Sequence, residues 1–121
     1  MHTTYSDGKL TPAELVRLLH DRGVDIAAVS DHDSTEGITE ALAAAEVYPN
    51  LRIVPAVEIS ADHPTDVKGD VHVLGYFLDH HHVELSATLA SFRENRLYRG
   101  QKMVERLIEL GYKITWEHVL G

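Results

Sequence analysis

Residues 24–34, "VDIAAVSDHDS", decide the fold. From Val24 to Val29 only Asp25 interrupts an apolar run, which is how a strand covered on both faces of a parallel sheet reads. The run then stops abruptly in Ser30, Asp31, His32, Asp33 and Ser34. A core strand that delivers carboxylate and imidazole at its C-terminal end suits an α/β protein, where active sites gather on that face.

Working outward, the segment before this strand carries its own start and stop signals. Thr11 can cap a helix, Pro12 needs no amide partner, and Glu14 lies three residues after the cap, placed to reach back to it. Leu15, Leu18 and Leu19 recur at helical spacing, with Ala13 and Val16 widening the stripe, until Gly23 follows Arg22 as a C-terminal cap. After the strand, "TEGITEALAAAEV" over 35–47 predicts a second helix, and "LRIVPAVEI" over 51–59 a second buried strand with Glu58 near its far end. Residues 60–70 have loop composition, and "VHVLGYFL" over 71–78 predicts a further strand interrupted by His72. Strands and helices in this order predict right-handed crossovers and a parallel sheet.

From about His82 to Leu110 the composition is helical, with Leu85, Leu89, Phe92, Leu97, Met103, Leu107 and Leu110 forming a loose apolar stripe that Gly111 ends. Thr115 then stands where it could cap another helix. Arg93, Arg96, Arg99 and Lys102 recur every three residues on the long helix. They can form a basic stripe toward phosphates or a solvated face paired with Glu94 and Glu105. His80, His81 and His82 follow the last strand rather than lining its end, so they are expected to be exposed.

The composition, 44% hydrophobic and 25% charged over 121 residues, is that of a soluble globular chain with a real core. Without cysteine there is no disulfide framework or thiolate metal site, which fits a reducing cytoplasm. No apolar run approaches the roughly 20 residues of a membrane span. Eleven Lys and Arg against nineteen Asp and Glu leave a formal charge of -8, the wrong sign for a broad nucleic-acid surface. Nine histidines beside that carboxylate excess point instead to bound metal cations as the local positive device for a phosphorylated ligand.

The residues able to bind metal fall in a pattern: His2 and Asp7 before the first helix, His32 and Glu58 at successive strand ends, and His72 inside the last strand. Taken singly, each has an ordinary reading. His2 can be an exposed terminal residue, Asp7 before Gly8 a turn aspartate, and Asp31, His32 and Asp33 a polar loop in which Asp33 or Ser34 caps a helix. His72 can be a hydrogen-bonded core histidine. Glu58 is harder to dismiss, because an acid within "VPAVEIS" would carry a buried charge unless paired or on a metal. Together they make a nitrogen and oxygen donor set for borderline divalent ions.

"HTTYSDGKLTPAELV", "IAAVSDHDSTEGI", "VPAVEIS" and "HVLGYF", in this order and spacing, resemble the successive motifs of the PHP (polymerase and histidinol phosphatase) superfamily. Within it they most resemble the stand-alone phosphoesterases acting on nucleotides and short RNA. The resemblance implies an α/β fold, the N-terminal part of a distorted (β/α)7 barrel over 1–80, with the beginning of a helical insertion over 81–121. It also implies two or three divalent ions (Mn, Zn, Fe or Mg) at the strand ends, held by His2, Asp7, His32, Glu58 and His72. Glu58 matches the acid that bridges two metals, and Glu58 and His32 are the expected catalytic positions. Asp31 and Asp33 are expected to orient His32, and Arg93 and Arg99 to meet substrate phosphate.

The family pattern opens Asp-Leu-His-x-His, with Met1 at x, and its later ligands have no counterpart here. The expectation is therefore a truncated member, inactive by itself. The intact protein would hydrolyse phosphate esters of nucleotides or short oligoribonucleotides in the cytoplasm through a metal-bridging hydroxide. The competing readings are a non-catalytic PHP module of a larger assembly and a metal-dependent amidohydrolase.

Overall fold

A computed structural model describes residues 1–61 and 69–121, so positions 62–68 of the expected loop lie outside the described residues. The chain forms two compact units, Met1–Leu89 and Ala90–Gly121. The first contains helix α1 (Pro12–Asp21), strand β1 (Ile26–Val29), helix α2 (Ile38–Ala45), strands β2 (Arg52–Ala61) and β3 (Val71–Tyr76), and the first turns of α3 (Val83–Glu109). The second holds the rest of α3 and the short helix α4 (Trp116–Leu120).

The local signals act as their chemistry requires. Thr11 Oγ1 accepts from the Glu14 amide at 3.2 Å while the Thr11 amide donates to Glu14 Oε2 at 2.9 Å, closing a capping box at the start of α1. At its end Gly23 adopts φ +72°, and the Gly23 and Val24 amides donate back to His20 and Leu19, turning the chain directly into β1. Gly111, at φ +92°, ends α3 in the same way, with Tyr112 donating to Leu107. Thr115 caps α4 by accepting from the His118 amide. Ser34, by contrast, accepts from the Glu36 amide in a local turn, and α2 starts at Gly37 without a side-chain cap.

α1 packs its Leu15, Val16 and Leu19 against Ala27 and Val29 of β1, Ile53 of β2, and Leu51 and Ala41 nearby. Full burial of aliphatic side chains of this size is worth about 1.5–3 kcal/mol each, so this layer is the main cohesion of the first unit.

The sheet has order β1-β2-β3. β1 and β2 are parallel, from Ile26↔Arg52 to Val29↔Pro55. β3 corrects the all-parallel expectation: it runs antiparallel to β2, from Ala56↔Tyr76 to Ala61↔Val71. The reason lies in chain length. Only nine positions separate Ala61 from Val71, whereas a crossover to a parallel strand needs a dozen or more residues, so β3 can only double back. β2 thus serves two partners, β1 with its first half and β3 with its second. Among the described residues no strand pairs with the outer edge of β3, and Val71, Val73, Leu74 and Tyr76 are exposed.

No helix among the described residues is long and apolar enough to cross a membrane.

Candidate metal centre

The β1-β2 pairing resumes beyond β1 in unchanged register, and this places the first two candidate ligands. An isolated parallel bridge joins His32 to Glu58, with the Asp33 amide donating to Glu58 O at 2.9 Å and the Glu58 amide to Asp31 O at 3.1 Å. On the other side of β2, Glu58 faces Leu74 and Ser60 faces His72. Glu58 and His72 are therefore diagonal neighbours on one face of the hairpin.

The segment before α1 is tied to the free side of β1. The Met1 ammonium donates to Ala28 O at 3.1 Å and the Ser30 amide donates to Met1 O at 2.8 Å, the pattern of a parallel ladder with Val29 opposite Met1. His2 follows at the same end of the sheet as His32 and Glu58. Amides of Ser6 and Gly8 then donate to Thr3 O, and Thr4 to Leu10 O, folding residues 3–10 into a tight loop that returns Asp7 toward His2. Gly8 belongs there for lack of space: a Cβ would lie 2.3 Å from His2 O and 2.7 Å from Thr3 N.

These elements bring all five candidate ligands together around one carboxylate. Glu58 Oε2 lies 3.1 Å from His2 Nε2 and 3.9 Å from His32 Nε2, while Oε1 lies 2.9 Å from His72 Nδ1. Asp7 stands above them, 3.6 Å from His2 Nδ1 and 3.4 Å from His32 Nε2. The His2 and His32 rings stack at 4.6 Å, and His72 meets His32 edge-on at 5.5 Å. Donor atoms of His2, His32 and Glu58 all lie within 4.8 Å of one another. The side chains of His32 and Glu58 are only 17% and 16% exposed, whereas His2 at 32%, His72 at 37% and Asp7 at 67% mark the open side of the centre.

The donor set fits divalent cations. It offers imidazole nitrogens and carboxylate oxygens with no sulfur, and Glu58 turns one oxygen to His2 and His32 and the other to His72. Nδ1 of His2 and Nδ1 of His32 are buried with no hydrogen-bond partner among the described residues, and the His2 nitrogen faces Asp7 Oδ1 at 3.6 Å, where a bound cation would satisfy both atoms.

The oxygens of Asp31 accept from Thr3 and Ser6 of the loop rather than from the imidazole of His32. Asp33 is buried at φ +50°, a left-handed turn that lets its amide reach Glu58 O. Arg93 and Arg99 lie on α3 in the second unit, Arg93 half-buried and Arg99 exposed, and neither they nor Arg96 is without a partner. Lys102 of the same stripe pairs with Glu105 at 2.8 Å. His82 accepts from the Leu85 amide at the start of α3. The His80 and His81 rings lie 4.0 Å apart, tilted by 39°, and burial and then the charge of His81 push the His80 imidazole below its ordinary pKa. What the motif reading passed over is Thr3 and Ser6. Their signal was present, since a hydroxyl residue directly follows His2 and another directly precedes Asp7.

No family model matches the chain. Individual relatives do. The chain is 37% identical over 112 residues to a 5'-3' exoribonuclease of Haemophilus influenzae, covering 91% of this chain and 39% of that protein. It is 36% identical over 102 residues to a 3',5'-nucleoside bisphosphate phosphatase of Chromobacterium violaceum, covering 84% of this chain and 34% of that protein. A solved structure from Bifidobacterium adolescentis, described as a candidate metal-dependent phosphoesterase, superposes with a TM-score of 0.78 at 38% identity, over 98% of this chain and 40% of that one. The chain thus spans between a third and two fifths of the length of these proteins.

Proposed function

We propose that this chain, similar in sequence to an exoribonuclease and a nucleoside bisphosphate phosphatase and in fold to a candidate metal-dependent phosphoesterase, is of the PHP type and carries much of the divalent-metal centre of an enzyme that hydrolyses phosphate esters of nucleotides or short oligoribonucleotides. One observation carries the reading: Glu58 presents one carboxylate oxygen to His2 and His32 and the other to His72, the arrangement of an acid shared between two cation positions. His2, Asp7, His32, Glu58 and His72 would hold two or three ions such as Mn, Zn, Fe or Mg. When bound, such ions polarise a phosphoryl oxygen and bring the acidity of water near neutrality.

The chain's own contributions follow from its placement. Glu58 and His32, joined through a backbone bridge, are held more rigidly than side chains on separate loops could be. Their low exposure limits competition from bulk water. Asp7, on the open side, lies where a ligand would enter. With a formal charge of -8, the protein itself repels phosphate, so a substrate of this class depends on the cations. The barrel portion is assigned to residues 1–80 and the helical insertion to 81–121.

The deciding experiment measures, for the protein that carries this chain, the release of inorganic phosphate from nucleoside 3',5'-bisphosphates and of mononucleotides from short oligoribonucleotides, with amide substrates beside them. Manganese-dependent release, abolished by EDTA and by Glu58→Gln, is expected. Turnover of amides alone would transfer the assignment to an amidohydrolase. Metal binding without any turnover would leave a non-catalytic module.

A further inference from the structure

Asp31 is 2% exposed, and its carboxylate accepts three hydrogen bonds. Oδ1 accepts from the Thr3 amide at 2.6 Å and from Ser6 Oγ at 2.7 Å, and Oδ2 accepts from Thr3 Oγ1 at 2.6 Å. All three donors belong to the loop that carries two of the candidate ligands. Thr3 directly follows His2, Ser6 directly precedes Asp7, and Asp31 itself directly precedes His32.

The backbone explains why a carboxylate is needed here. Met1 and Ser30 continue a parallel ladder along β1, and the next amide in that ladder, Thr3, would ordinarily donate to a main-chain carbonyl. It donates instead to the Asp31 side chain. The ladder has ended, and the carboxylate carries the registration one step further than the backbone can. Hydrogen bonds to a charged acceptor are shorter and stronger than neutral ones, so three of them fix this loop against the strand end. Thr3 Oγ1 in turn accepts from the Tyr5 amide at 3.2 Å, which extends the same grip along the loop.

Resting on the metal-centre reading, we propose that Asp31 is a positioning residue that registers the loop bearing His2 and Asp7 against the strand end bearing His32. It acts on the backbone and hydroxyls beside the ligands, unlike an acceptor that orients a ligating imidazole through its second nitrogen. Loss of such support weakens metal sites by about 10- to 100-fold.

The test titrates the 121-residue chain calorimetrically with Mn2+ and with Zn2+, and follows amide hydrogen exchange in EDTA. Asp31→Ala is expected to weaken ion binding by about 10- to 100-fold, Asp31→Asn less, and Ser6→Ala least. In the metal-free chain, Asp31→Ala should speed exchange at Ser6 and Gly8 while Val24 and Arg52 keep their protection. Val16→Ala, a core change remote from the loop, controls for lost stability and should retain wild-type affinity. Wild-type affinity in a folded Asp31→Ala chain, or an equal loss in Val16→Ala, overturns the role of Asp31. Should Asp31→Ala fail to fold, Asp31→Asn and Ser6→Ala decide, and unchanged affinity in both overturns it. A wild-type chain that binds neither ion overturns the metal-centre reading itself.

Discussion

Glu58 is an acid inside "VPAVEIS", a context in which an unpaired charge would be costly, and three imidazoles converge on it. Its neighbours show how narrow the tolerances are. Gly8 has no room for a side chain, because the atoms a Cβ would meet are the main chain of His2 and Thr3 rather than a movable side-chain end. Gly8→Ala should therefore push His2 away from Glu58. The expected result is Mn2+ affinity at least about 10-fold weaker, with a stability loss of about 1–3 kcal/mol, the usual cost of overpacking. Calorimetric titration beside urea denaturation checks both, and wild-type values would show that the loop has slack. Glu58 and His72 were legible as candidates because each breaks an apolar run. Thr3 and Ser6 were not, since Ser and Thr in a polar stretch are unremarkable until their partner is known.

At the scale of elements, α1 shows sequence and structure in closest agreement. Its capping box, proline start and glycine end are interactions within a few residues, and such chemistry can be read without knowing the rest of the chain. Thr11→Ala should cost about 1 kcal/mol, a typical value for a lost cap, measured as a shift in the urea midpoint with an unchanged slope. A midpoint that does not move would mean the capping box adds nothing to folding. Metal affinity should change little, because α1 lies behind the centre and contributes no donor. β3 is the opposite case. Its apolar composition identified it as a strand, yet strand direction depends on how long the connection is and which edge is free, and nine positions left only a hairpin. That reversal matters for the site, since the antiparallel register is what sets His72 diagonal to Glu58.

At the scale of the whole molecule, the excess of carboxylates makes cations natural ligands, and a ligand bound only by the folded state stabilises it. Mn2+ at about 100 times its dissociation constant should add about 2.7 kcal/mol to the stability of the folded chain. Differential scanning calorimetry should show a rise in Tm that EDTA reverses and that Glu58→Gln abolishes. A Tm indifferent to Mn2+, Zn2+ and EDTA would count against the centre. The sequence by itself determined the α/β class, the order of the elements, both caps of α1 and the identity of the candidate ligands, because hydrophobic periodicity, capping and donor chemistry are local properties. Only the tertiary structure decided that β3 runs antiparallel, that Glu58 divides its two oxygens between His72 and the His2-His32 pair, and that the Asp31 carboxylate accepts from Thr3 and Ser6. Each of these depends on distances between segments far apart in the chain, which are set by sheet register and loop closure and leave no mark in the periodicity of any one segment.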